Sequence, residues 1–75
     1  MKGYSELKPI FSCRLYDAAV KAEIPMIEIA ARVGINRRTI WRYINPCFPD
    51  LPRADVLMRI ASVLGVSVNY LIGIE

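Results

Sequence analysis

The chain has 75 residues, of which 55% are hydrophobic and 23% charged, and it contains no histidine. A chain this short buries only roughly 60% of its unfolded surface, so it has core enough for one domain, and its high apolar content excludes wholesale disorder. Without histidine it lacks the commonest general base and the commonest zinc ligand. We therefore expect no catalytic site, no metal and no cofactor.

The sequence also lacks the features of a membrane or secreted protein. The longest uncharged run, residues 60–74, is shorter than the roughly 20 apolar residues of a transmembrane helix and contains polar side chains. The N-terminus has no apolar leader. We expect a cytoplasmic protein in which Cys13 and Cys47 are reduced thiols.

The net charge of +3 is unevenly distributed along the chain. Residues 29–49 contain four arginines and no acidic residue, whereas the remainder contains six basic and seven acidic residues. Concentrated arginine indicates an anionic partner, with nucleic acid as the leading candidate. The alternative is an ordinary solvated face, which charge clusters usually are.

Apolar residues recur at helical spacing along most of the chain, which predicts an all-α fold. The first helix is expected over 11–22, with residues 1–9 before it as a segment that can be flexible. The second begins after Pro25 and ends at Gly34, and the third runs from Arg37 to Ile44 behind Asn36, a favoured N-cap residue. A loop with three prolines, 45–52, precedes a fourth helix over 53–64 and a short fifth helix that Ser67 caps. The sequence thus predicts one domain over 1–75, built from five short helices.

The third helix has two different faces. On a helical wheel, Arg37, Arg38 and Arg42 lie within about 140° of one another, with Trp41 among them. The opposite side carries Thr39, Ile40, Tyr43 and Ile44. An arginine fork can bind a guanine edge or a phosphate, and the positive end of the helix dipole lies at the same place. A short helix, a glycine-containing turn and a second helix with such a face form a helix-turn-helix over about 26–44, whose second helix enters the major groove.

These residues resemble the lambda-repressor-like (Cro/CI, XRE-type) helix-turn-helix family over about residues 14–73. The segments that carry the resemblance are 26–40 and 52–73. It implies a compact five-helix domain of bacterial or phage origin that binds operator DNA, often as a dimer on a two-fold, palindromic site. It further implies a set of DNA-contacting positions: base-reading Arg37, Arg38 and Arg42, phosphate-contacting Asn36 and Asn45, and also Thr39. Two departures are Met26, where the family often has a phosphate-anchoring glutamine, and Pro46, where it usually has glycine.

Several assignments remain open on the sequence alone. Arg32 either contacts a backbone phosphate or only aids solubility. Trp41 either contacts a thymine methyl or a sugar, or packs over the proline-rich loop. The apolar residues near the C-terminus, Tyr70, Ile72 and Ile74, are the expected dimer contact.

Two functions are therefore carried forward. The first is a sequence-specific transcriptional regulator, a repressor that blocks access to its double-stranded operator by placing helix 37–44 in the major groove. The second is a protein-interaction module on the same fold, an antitoxin or antirepressor that acts through a protein partner. An enzyme is not expected, because no nucleophile, base and orienting group occur together.

Overall fold

The computed structural model describes residues 4–74 and contains five helices. They are α1 (Tyr4–Ala22), α2 (Met26–Val33), α3 (Arg37–Ile44), α4 (Ala54–Leu64) and α5 (Val68–Leu71). The described residues include no strand. The prediction of an all-α, five-helix fold is confirmed, and none of these helices is long and apolar enough to cross a membrane.

The helices begin and end where local capping residues place them. Gly34 adopts a left-handed backbone (φ 85°) and its N–H binds the carbonyl of Ala30, which closes α2. Asn36 then opens α3, since its side-chain oxygen accepts a hydrogen bond of 2.8 Å from the backbone N–H of Arg38. Ser67 does the same for α5 by accepting from Tyr70 at 3.0 Å.

One hydrophobic core is shared by all five helices. Every helix contributes at least one side chain with no exposed surface, namely Phe11, Leu15, Ile29, Ile40, Ile60 and Leu71. Helices of four to eleven residues, as α2–α5 are, are not stable alone in water. Burial of an aliphatic side chain stabilises the fold by about 1.5–3 kcal/mol, so the common core sustains the short helices.

The first helix is longer than the sequence pattern predicts. It begins at Tyr4 rather than Phe11 and contains Pro9. A proline inside a helix removes one backbone hydrogen bond and costs about 3 kcal/mol, and the apolar spacing that predicts the helix begins only at Phe11. Residues 4–9 are instead helical, and Lys8 attaches this part of α1 to the rest of the fold. Residues 1–3 lie outside the described part of the chain.

The charged side chain of Lys8 is almost fully buried, with 3% of its surface exposed. Its ammonium group donates to the carbonyl oxygens of Arg42 (2.9 Å), Asn45 (2.8 Å) and Phe48 (2.7 Å). All three donors of the ammonium are thus used, two of them at the C-terminal end of α3, where the helix dipole is negative, and one in the following loop. Burial lowers the pKa of Lys8, and the nearby charge of Asp50 opposes that shift.

Ser12, one turn further along α1, reinforces the same attachment. Its buried hydroxyl donates to the carbonyl of Tyr43 at 2.7 Å. The last carbonyls of a helix have no partner within it. Side chains of α1 therefore satisfy the end of α3.

Two arginines likewise donate hydrogen bonds to carbonyl oxygens at helix ends. Arg14 donates to the carbonyl of Tyr70 at 3.1 Å, and its guanidinium lies 4.5 Å from the centre of the Tyr70 ring. Arg59 reaches the carbonyl of Val33, at the end of α2, at 3.5 Å. Much of the positive charge outside α3 is thus committed to holding helices together.

We predict that Lys8→Met destabilises the protein by about 1–3 kcal/mol, because carbonyls that the ammonium satisfied lose their donors. Urea unfolding followed by circular dichroism measures this change. Lys21→Met, in the exposed last turn of the same helix, is the control and should cost no more than about 0.5 kcal/mol. Equal effects of the two substitutions would contradict the role assigned to Lys8.

We also predict that Asn36→Ala lowers the free energy of unfolding by about 0.5–2 kcal/mol, since the N-cap hydrogen bond of α3 is lost. Asn36→Ser retains a side-chain oxygen that can accept this bond and should recover most of the loss. Thermal unfolding of the two variants provides the comparison. If serine is no better than alanine, the cap does not stabilise α3.

Candidate nucleic-acid interface

The α2–turn–α3 unit holds α3 firmly against the body of the protein. Ala30 and Val33 of α2 and Ile40 of α3 are buried, with at most 2% of their surface exposed. Gly34 makes the turn between the helices in its left-handed conformation. Because the apolar side of α3 is packed into the core, the orientation of its opposite, polar side is fixed.

That opposite side is the arginine face, which we define as Arg37, Arg38, Trp41 and Arg42. All four residues are exposed. Tyr43 is buried on the other side of the helix, and its ring meets that of Phe11 edge-on at 6.3 Å. Thr39 is half-buried, between the two sides.

Arg37 and Arg38 differ from the other arginines of the described chain. Neither makes a side-chain hydrogen bond or ion pair with another described residue, whereas Arg14, Arg32, Arg42, Arg53 and Arg59 all have partners. Both lie in the first turn of α3, at the positive end of the helix dipole. This end of the helix therefore presents two uncommitted guanidinium groups to an anion.

Arg42 is held by a residue that the sequence analysis did not single out. Its Nε donates to one carboxylate oxygen of Asp50 at 3.1 Å, and its Nη2 donates to the other at 3.0 Å. The guanidinium also lies 4.9 Å from the centre of the Phe48 ring. The hydrogen bonds from Arg42 lower the pKa of the Asp50 carboxyl from its usual value, so this carboxylate is ionised at neutral pH.

The sequence indicates this pairing only by the position of Asp50. Asp50 is the first acidic residue after the acid-free stretch 29–49. It lies eight residues from Arg42, beyond the three- and four-residue separations that pair side chains along one helix. Only the path of the proline-containing loop brings the two together.

Arg32 forms an ion pair with Glu28, four residues earlier on α2. The side chains remain 54% and 44% exposed, respectively. Exposed pairs of this kind contribute little to stability and are readily exchanged for other partners. The pair leaves Arg32 accessible beside the arginine-rich helix.

A shallow groove of about 600 Å³ runs beside the arginine face. Its lining is Arg38, Trp41, Arg42, Ile44, Asn45, Pro46 and Phe48. Trp41 is 56% exposed, so more than half of its surface is available to a partner even though it lines the groove with Pro46 and Phe48.

Asn45 has a structural role at the end of α3. It is extended (ψ 112°), as the proline that follows requires, and its side-chain oxygen accepts from the backbone N–H of Cys47 at 2.9 Å. Its carbonyl accepts from Lys8. Only the amide nitrogen of its side chain is left to donate to a phosphate.

The six predicted residues Asn36, Arg37, Arg38, Thr39, Trp41 and Arg42 lie on α3 or its N-cap. Asn45 ends the helix, and Arg32 lies on α2. The structure adds three residues that sequence reasoning missed. Phe48 and Asp50 contact Arg42 directly, and Lys8 holds the backbone behind it.

Comparison with known proteins agrees with this geometry. A family model described as helix-turn-helix matches residues 15–71, which include α2–α5 and the C-terminal part of α1. Searches of the curated proteins and of the solved structures found no match. The match spans well over half of the chain, and members of this family bind double-stranded DNA. The chain therefore belongs to the XRE-type, lambda-repressor-like helix-turn-helix family of DNA-binding regulators.

Proposed function

We propose that this protein is a sequence-specific repressor that inserts α3 into the major groove of an operator. The observation that supports this most strongly is the state of Arg37 and Arg38. They are exposed, have no ion pair with any described residue and lie at the positive end of α3. Their side chains are free to bind base edges or phosphates.

Further contacts extend the proposed interface on both sides of these two residues. Asn36 lies at the start of α3, where the positive end of the helix dipole favours a phosphate and the side-chain amide nitrogen can donate to it. Arg32 can exchange Glu28 for a phosphate, and Asn45 can donate its side-chain amide. Thr39 and Trp41 are the other proposed contact residues on α3. The exposed indole of Trp41 can contact a thymine methyl group.

The proposed two-fold assembly rests on a smaller surface than the sequence indicated. Leu71 is buried and Tyr70 is half-buried beneath the guanidinium of Arg14. Ile74 is 69% exposed and Ile72 is half-buried. A homodimer formed through the C-terminal segment would use these two isoleucines.

A protein-interaction module is the second candidate, and one observation favours it. Tyr16, Val20 and Ile27, on α1 and α2, are 55–57% exposed. Apolar side chains on the surface can mark a binding site for another protein. In that case the protein would act as an antitoxin or antirepressor with a partner, and it would bind no duplex on its own.

Selection of bound duplexes from a random pool at two salt concentrations distinguishes the two candidates. A repressor enriches one sequence, as a palindrome with half-sites about one helical turn apart if it is a dimer. Its affinity falls steeply with salt, because each phosphate contact releases counterions. Enrichment of no sequence at either salt concentration would contradict the proposed function.

We predict that Arg38→Ala weakens binding to the selected duplex by about 1–3 kcal/mol. Arg53→Ala is the matched control, because Arg53 lies at the N-cap of α4, outside the arginine face, and its side chain is 84% exposed. Fluorescence anisotropy with a labelled duplex measures both affinities. Equal losses for the two variants would show that Arg38 contributes only general charge.

A further inference from the structure

We propose that Asp50 is a positioning residue for DNA recognition: it fixes the guanidinium of Arg42 so that the free edge of that group binds one guanine. This inference rests on the proposed function. It assigns a role in specificity to an acidic residue, which by charge alone would be expected to oppose DNA binding.

The contact between Arg42 and Asp50 leaves one edge of the guanidinium free to bind another group. A guanidinium has five N–H donors in a plane. Asp50 accepts from Nε and from one N–H of Nη2, which leaves both N–H groups of Nη1 and the second of Nη2. The Nη1–Nη2 edge can therefore still make the bidentate contact to O6 and N7 of guanine.

Phe48 constrains the same group in a second direction. The carboxylate of Asp50 fixes the guanidinium in its plane, and the Phe48 ring supports its face at 4.9 Å. The side chain of Arg42 nevertheless remains 46% exposed. Its conformational entropy is thus largely lost when the protein folds and need not be lost on binding.

The loop that supplies these contacts is itself held in place. Lys8 binds the carbonyl of Phe48 at 2.7 Å and that of Asn45 at 2.8 Å. Prolines at 46, 49 and 52 restrict the backbone between α3 and α4. Asp50 is therefore presented to Arg42 by a stiff segment and not by a freely moving one.

The three arginines of α3 therefore differ in how freely their guanidinium groups can move. Arg37 and Arg38 have no partner among the described residues and can adapt to either phosphates or bases. The guanidinium of Arg42 is held in one orientation, and only some of its N–H groups remain free to donate. Arg42 thus supplies discrimination at one base pair, whereas the other two arginines supply a larger share of the affinity.

The experiment compares selection profiles and affinities of the wild type, Arg42→Lys and Asp50→Asn. The lysine variant keeps the charge but cannot make the bidentate contact to guanine. The base pair at which it loses selectivity is therefore the one that Arg42 contacts. We expect Asp50→Asn to lose the preference for guanine at that same base pair, with discrimination reduced about tenfold. Its affinity for an unrelated duplex should stay unchanged or rise, because one negative charge has been removed.

Asp55→Asn is the matched control, since Asp55 forms an exposed ion pair with Arg53 on α4. It removes the same charge from a residue that does not contact Arg42 and should leave the base preference intact. In the Arg42→Lys background, Asp50→Asn should cause no further loss of discrimination. Circular dichroism and thermal unfolding establish that each variant is folded.

The outcomes separate this inference from the alternatives. Tighter binding of Asp50→Asn to all duplexes by the same factor would mean that Asp50 only repels DNA, which overturns the inference. Equal weakening for all duplexes together with a lower unfolding temperature would indicate a purely structural role and also overturn it. If the wild type selects no sequence, the proposed function fails as well, whereas unchanged guanine preference in Asp50→Asn rejects the positioning role alone.

Discussion

The ammonium group of Lys8 links the parts of the molecule on which the arginine face depends. It joins α1 to the C-terminal end of α3 and to the following loop through three carbonyl oxygens. Burying a charge is costly unless it is fully hydrogen-bonded, and here every donor has a partner. This one group thereby satisfies the end of α3 and fixes the backbone of Phe48, whose ring supports Arg42.

The contacts of the basic side chains show which positive charges remain available to a partner. Lys8, Arg14 and Arg59 bind carbonyls at helix ends, while Arg32, Arg42 and Arg53 are paired with acidic residues. Only two arginines of the described chain, Arg37 and Arg38, remain uncommitted. The net charge of +3 therefore matters less than the position of these two groups at the positive end of one helix.

The sequence predicts α2, α3 and α5 closely because their ends depend on neighbouring residues, such as the N-caps Asn36 and Ser67 and the left-handed Gly34. It places the start of α1 too late, because the apolar spacing begins at Phe11 and the bonds of Lys8 that hold the earlier turns join residues 34–40 positions apart. The arginine face follows from helical periodicity. The partner of Arg42 does not, because Asp50 reaches it only through the path of the loop.

We propose that the contacts behind α3 set the direction of its arginine face for binding in the major groove. A crystal structure of the protein with its selected duplex tests this most directly. We expect α3 to lie in the major groove, with Arg42 bound to a guanine while Asp50 still accepts from its Nε. A complex in which α3 lies outside the groove, or in which Arg42 leaves Asp50 to bind a phosphate, would contradict it.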